Sequence, residues 1–121
     1  MFVVVAALCL NLLLGLTLKG IAMSSISSTA ASGMHTAQTR LNASAHNVAN
    51  LGAEGFRRQE VVQTEQAGGG VSPAIRRAAT EGAALEQDLV DQLQAKNSFL
   101  ANLAVFKTSN KMAGALLDHK A

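Results

Sequence analysis

The sequence has no tryptophan and no tyrosine, and only four phenylalanines among 121 residues. A chain this poor in aromatics lacks the bulky fillers of a sheet sandwich and the stacking platforms of a single-strand binder. Its one cysteine, Cys9, excludes an intrachain disulfide framework and a cysteine-based zinc finger. Its one proline, Pro73, leaves long helices uninterrupted. Charged residues are only 15% of the chain, and the formal net charge of +2 is small for a committed nucleic-acid binder, despite a pI near 9.0. What fills the space is alanine and leucine, both strong helix formers. The length fits one small domain or less.

Mean hydropathy is +0.22, and the excess sits at one end. Residues 1–22 carry a single charge, Lys19, and none before it. An uncharged run from Met1 to Leu18 lies at the lower edge of what spans a bilayer as a helix. A secretory leader would supply this core and a small-x-small site at Gly20-Ile21-Ala22, but the basic n-region is missing. A lipoprotein leader would want a small residue before Cys9, where Leu8 stands. A membrane anchor is weakened by Asn11, Gly15 and Thr17. The preferred reading takes Met23 as the true start and residues 1–22 as translated upstream sequence.

Residues 23–50 are predicted as a first helix, with Ser24 and Ser25 as N-caps. Ala30, Met34, Ala37, Leu41, Ser44 and Val48 step by four and three, the spacing of a coiled-coil seam with small knobs. Gly33 inside it costs about 1 kcal/mol relative to alanine, which marks a close helix contact or a late start of regular helix. Residues 51–80 break the period with Gly52, Gly55, the Gly68-Gly69-Gly70 run and Ser72-Pro73. This insert is expected to hold a short hairpin, with strands near 56–63 and 71–77. Residues 81–121 are predicted as a second helix, with a broad stripe that includes Leu89, Leu93, Phe99, Leu103 and Phe106. Its acids come first and its lysines later, as the helix dipole favours. The expected fold is mainly α: two long helices packed as an antiparallel, coiled-coil-like hairpin, with a short irregular or β-hairpin insert. Two helices bury little area, so partners are expected.

Two groups of residues carry a resemblance. The first is Gly33-Met34, Arg40-Leu41, Ser44, Asn47-Val48-Ala49-Asn50 and Gly55-Phe56-Arg57-Arg58. The second is Leu85-Glu86, Val90-Asp91, Phe99, Ala101-Asn102, Lys107-Thr108 and Met112. In order and spacing they resemble the two terminal helices of the bacterial flagellar rod and hook family. The short insert is similar to that of the small proximal-rod type. The chain departs from the family at His46, where the family has Asn, and in the turn Gly52-Ala53-Glu54-Gly55. The resemblance implies a structural subunit of the flagellar basal-body rod, built into a helical tube and exported without a cleaved signal. Its implied partners are other rod subunits, further copies of itself and the flagellar export apparatus. Membrane association follows only if residues 1–22 are made. The rival reading is a membrane-anchored or regulatory helical adaptor, a degenerate rod paralogue that stays outside the tube.

No catalytic constellation emerges, and the expectation is a protein that is not an enzyme and takes no cofactor. His35 and His46 lie about three helical turns apart and cannot share a metal within one helix. Asp88 and Asp91 read as a solvated first turn. Arg57-Arg58 and Arg76-Arg77 read as loop charges that keep the surface soluble or meet acidic neighbours, and neither nucleic acid nor a small-molecule substrate is expected. Asn50 reads as a helix C-cap. Asn47, Asn50 and Asn102 also read as amides that bond across subunits, beside the capping that a helix ending in Asn47-x-x-Asn50 allows, and both readings can hold. The seam residues expected to drive assembly are Met34, Leu41, Val48, Leu89, Leu93, Phe99, Leu103 and Phe106. The family-motif positions are Gly33, Asn47, Ala49, Asn50, Gly55, Phe56, Ala101, Asn102, Thr108 and Met112.

Overall fold

A computed structural model describes residues 2–119, with side chains described for 26–119. The readings of residues 1–22 as leader, anchor or upstream sequence lie outside the described side chains. Among the described residues no helix is long and apolar enough to cross a membrane. The order of elements is α1 (Phe2–Ala49), β1 (Gln59–Glu65), β2 (Val71–Arg77) and α2 (Leu85–Asp118). The fold is mainly helical, with two helices packed against each other and a two-stranded antiparallel sheet between them in sequence.

The helix directions are opposed, because partners on α2 fall in number as those on α1 rise. The Ser27 and Ser109 hydroxyls meet at 2.9 Å. A Cβ on Gly33 would lie 2.6 Å from the Asn102 amide oxygen. The Ser44 hydroxyl donates to the Asp88 carbonyl. Gly33 is therefore a close-contact residue, as its cost inside a helix suggested. The helix runs on through Ser24 and Ser25, so neither is an N-cap.

Among the described residues the buried apolar ones are all alanines: Ala30, Ala37, Ala43, Ala78 and Ala95. On α2 the covered positions are Asp88, Gln92, Ala95, Phe99, Asn102, Phe106, Ser109 and Ala113, stepping by four and three. Small side chains bring the two helices close, Phe99 and Phe106 stay half-covered in the seam, and most of the leucines are left on the flanks. Met34, Val48, Phe99, Leu103 and Phe106 are half-buried. Leu41 is 40% exposed, Leu89 47% and Leu93 63%, so these three lie outside the intrachain seam.

The insert folds as a hairpin in the register Gln59↔Arg77 to Glu65↔Val71. An ion pair of 3.0 Å between Arg76 and Glu60 ties the strands. Val71–Arg77 forms β2 as the sequence suggested, whereas β1 begins at Gln59 and not at Phe56. Phe56 instead sets its ring against that of His46, 5.9 Å between centroids. The tip closes when the Gln66 amide donates to the Gly70 carbonyl, and Gly69 and Gly70 hold φ of +90° and +92°. The hairpin lies along α1, where the Val71 amide donates to the Ser32 hydroxyl. Gly70 sits so close to that hydroxyl that a Cβ would collide with it.

α1 ends without a left-handed residue, since no non-glycine φ is positive. Asn50 caps it in another way: its side-chain amide donates to the His46 carbonyl at 2.8 Å. α2 begins at Leu85, four residues later than expected. The chain before it is held elsewhere, because the Gly82 amide donates to the Phe56 carbonyl at 3.0 Å.

Candidate functional site

Where the two helices and the base of the hairpin meet, two polar side chains close on one carboxylate and a third holds the backbone of the same residue. Asp88, in the first turn of α2, is 1% exposed. The Arg58 guanidinium, just ahead of β1, donates to it through Nη2 at 2.6 Å and Nε at 3.3 Å. Asn47, near the end of α1, donates from Nδ2 to Asp88 Oδ1 at 3.0 Å. The same Asn47 amide donates to the Gln59 carbonyl at 3.0 Å and accepts from the Gln59 amide at 2.7 Å. Ser44, one turn back on α1, holds the Asp88 backbone carbonyl.

This arrangement corrects two expectations, for Asp88 and Asn47. Asp88 is not a solvated first-turn acid, because Arg58 neutralises it and Asn47 completes its hydrogen bonds. Arg58 is a loop charge that meets an acidic neighbour, as one of its two readings had it. Asn47 cannot bond across subunits, since both its donors and its oxygen are used inside the chain. Asn102 also bonds locally, to the Ser98 carbonyl at 2.8 Å. The hydrogen bond from Arg58 to Asp88 raises the guanidinium pKa above its ordinary value, the burial penalty opposing it. Arg58 therefore stays charged across the working range of pH.

A half-open polar cleft of about 220 Å³ lies beside this cluster. Arg40 borders it, 3.9 Å from Asp91 and 3.3 Å from the Gln94 amide oxygen. Every charge near Asp88 already has a partner, so the cluster works as a lock between three segments. No sequence spacing links Asn47, Arg58 and Asp88, which are 11 and 30 positions apart. Only the closed fold shows that they meet. Among the described residues no group of three His, Cys, Asp or Glu side chains could hold a metal ion.

The second feature is what the fold leaves uncovered. An apolar recess of about 230 Å³ lies between the helices at Leu41, Phe99 and Leu100. A larger one of about 390 Å³ is lined by Ile26, Val105 and Met112. Val105 is 49% exposed, Met112 56% and Leu116 61%. Of the other motif positions, Ala49, Ala101 and Thr108 are exposed on the helices, and Thr108 donates to the Ala104 carbonyl at 2.9 Å. Gly55 turns the chain with φ of +66°. Neither a family model nor a curated protein matches the chain.

Proposed function

We propose that the chain is a structural subunit of the bacterial flagellar basal-body rod, which assembles through its two helices and performs no chemistry. The observation that carries the reading is the unfilled apolar surface along α2, at Val105, Met112 and Leu116 beside Ile26, in a chain whose own core is alanine. Contiguous exposed apolar patches of this kind mark interaction surfaces. The resemblance of both helices to the rod and hook family supplies the kind of assembly. On this reading the helices pair as an antiparallel coiled coil, with Ala30, Ala37 and Ser44 of α1 against the four-three positions of α2. A patch on one flank that meets a different patch on the next copy does not close on itself, and repetition gives a helical tube.

The test is to isolate basal bodies and look for the chain by mass spectrometry, with its N-terminal residue read by sequencing. The chain is expected in the rod fraction. Its absence from basal bodies of motile cells overturns the proposal. A Met112→Asp chain is expected to be made and folded, because that side chain is 56% exposed, but to abolish swimming.

A further inference from the structure

α2 carries a second seam, one residue out of step with the first. Glu86, Leu89, Leu93, Lys96, Leu100, Leu103 and Lys107 step by three and four along one outward stripe. Leu89, Leu93 and Leu100 are 47%, 63% and 51% exposed, and α1 and the hairpin leave them uncovered. The recess at Leu41, Phe99 and Leu100 opens beside the stripe and offers a hole for an incoming side chain. A heptad repeat with apolar residues facing outward is the surface a partner helix recognises.

The charges on the stripe choose the partner and its direction. A parallel copy would set Glu86 on Glu86, Lys96 on Lys96 and Lys107 on Lys107, all like-charge contacts. An antiparallel copy reverses this. Centred near Ser98, it sets Leu93 against Leu103 of the other copy, and brings Lys107 over Leu89 within one turn of Glu86. The acidic half of the helix then faces the basic half, twice, by symmetry.

We propose that two copies of the chain pair through this outward seam as a symmetric antiparallel dimer, a four-helix arrangement with the hairpins on its outside. The inference does not depend on the rod reading, and its test leaves the basal-body experiment untouched. The stripe from residue 86 to 107 is about 33 Å long, at 1.5 Å per residue. A strip one helix wide falls short of the roughly 800 Å² per partner of a standard interface, so binding is expected in the micromolar range.

Sedimentation equilibrium of the full chain from about 5 to 200 µM tests it. The mass should rise towards twice the 12.5 kDa of one chain. Leu93→Asp should lose this association with its helical circular dichroism unchanged. Glu86→Lys and Lys107→Glu should each weaken the dimer about fivefold, since two pairs turn repulsive. The double exchange, Glu86→Lys with Lys107→Glu, should return to within about threefold of the original. A parent chain that is monomeric at about 200 µM overturns the proposal. So does a Leu93→Asp chain that associates as strongly as the parent, or a double exchange no tighter than its singles.

Discussion

The lock around Asp88 gives the most direct test of how this small fold holds together. Replacing Arg58 with alanine leaves a carboxylate with a side chain 2% exposed and no counter-charge, with the Asn47 amide as its remaining side-chain donor. Removing one partner of a buried ion pair costs about 3–5 kcal/mol, because the surviving charge stays desolvated. An exposed pair would cost about 0–1 kcal/mol. The opposite deletion is milder. After Asp88→Ala, the Arg58 side chain, already 20% exposed, can turn to water. About 2 kcal/mol is expected there, close to the loss of hydrogen bonds to a charged group.

The two deletions together should cost about as much as Asp88→Ala alone, so the coupling in a double-mutant cycle should be about 3–5 kcal/mol, the whole cost of Arg58→Ala. Urea unfolding at one protein concentration, followed by circular dichroism at 222 nm, measures all four chains. With a slope of about 1–3 kcal/mol per molar, the Arg58→Ala midpoint should fall by at least about 1 M. A loss below about 1 kcal/mol for Arg58→Ala, or simple additivity, would refute the claim that Asp88 is a buried charge held by Arg58.

Gly33→Ala should destabilise the chain by about 1 kcal/mol, because overpacking against Asn102 outweighs the gain in helix propensity. In an Asn102→Ala background the same change should become stabilising, as urea midpoints of the four chains would show. Thr36 is 3% exposed and its hydroxyl has no hydrogen-bond partner. Thr36→Val should therefore raise stability, by about 1 kcal/mol, and an unchanged or lowered melting point would count against a dry site. The raised pKa of Arg58 means that its contribution is fully present below the ordinary guanidinium range and is lost only as pH rises through the elevated folded value. Thermal melts from pH 7 to about pH 10 should show no loss that Arg58→Lys alters.

Much of the fold was legible because local rules dominate it. The glycine run, Pro73 and the break in helical period marked out the hairpin, and β2 falls where its residues were expected. The boundaries that moved did so for tertiary reasons. β1 starts late because Phe56 is drawn to His46. α2 starts late because Gly82 is tied back to Phe56. The polar lock was not legible, since its members come from three segments and no periodicity relates them. The charge run at the start of α2 looked like a solvated turn, and only the arrival of Arg58 and Asn47 makes burial of Asp88 tolerable.

The seam was legible in part: Ala30, Ala37 and Ser44 of α1 and Phe99 and Phe106 of α2 lie on the covered faces, whereas Leu89 and Leu93 do not. α2 contains two four-three repeats, one beginning at Asp88 and the other at Leu89, and hydrophobicity favours the second. The fold uses the first inside the chain. Gly33 and the alanines permit a close backbone approach, and Arg58 and Asn47 satisfy the one acid that this seam buries. Two helices joined by a short hairpin already meet at high effective concentration, so a seam of mostly small and polar side chains with two phenylalanines suffices between them. A contact between separate chains must also offset the lost freedom of two bodies, and it needs larger apolar side chains to do so. On the proposed pairing, the leucines lie where the association is hardest, on the outside of α2. A sequence read for its greasiest stripe finds the surface that the fold leaves exposed before it finds the surface that folds.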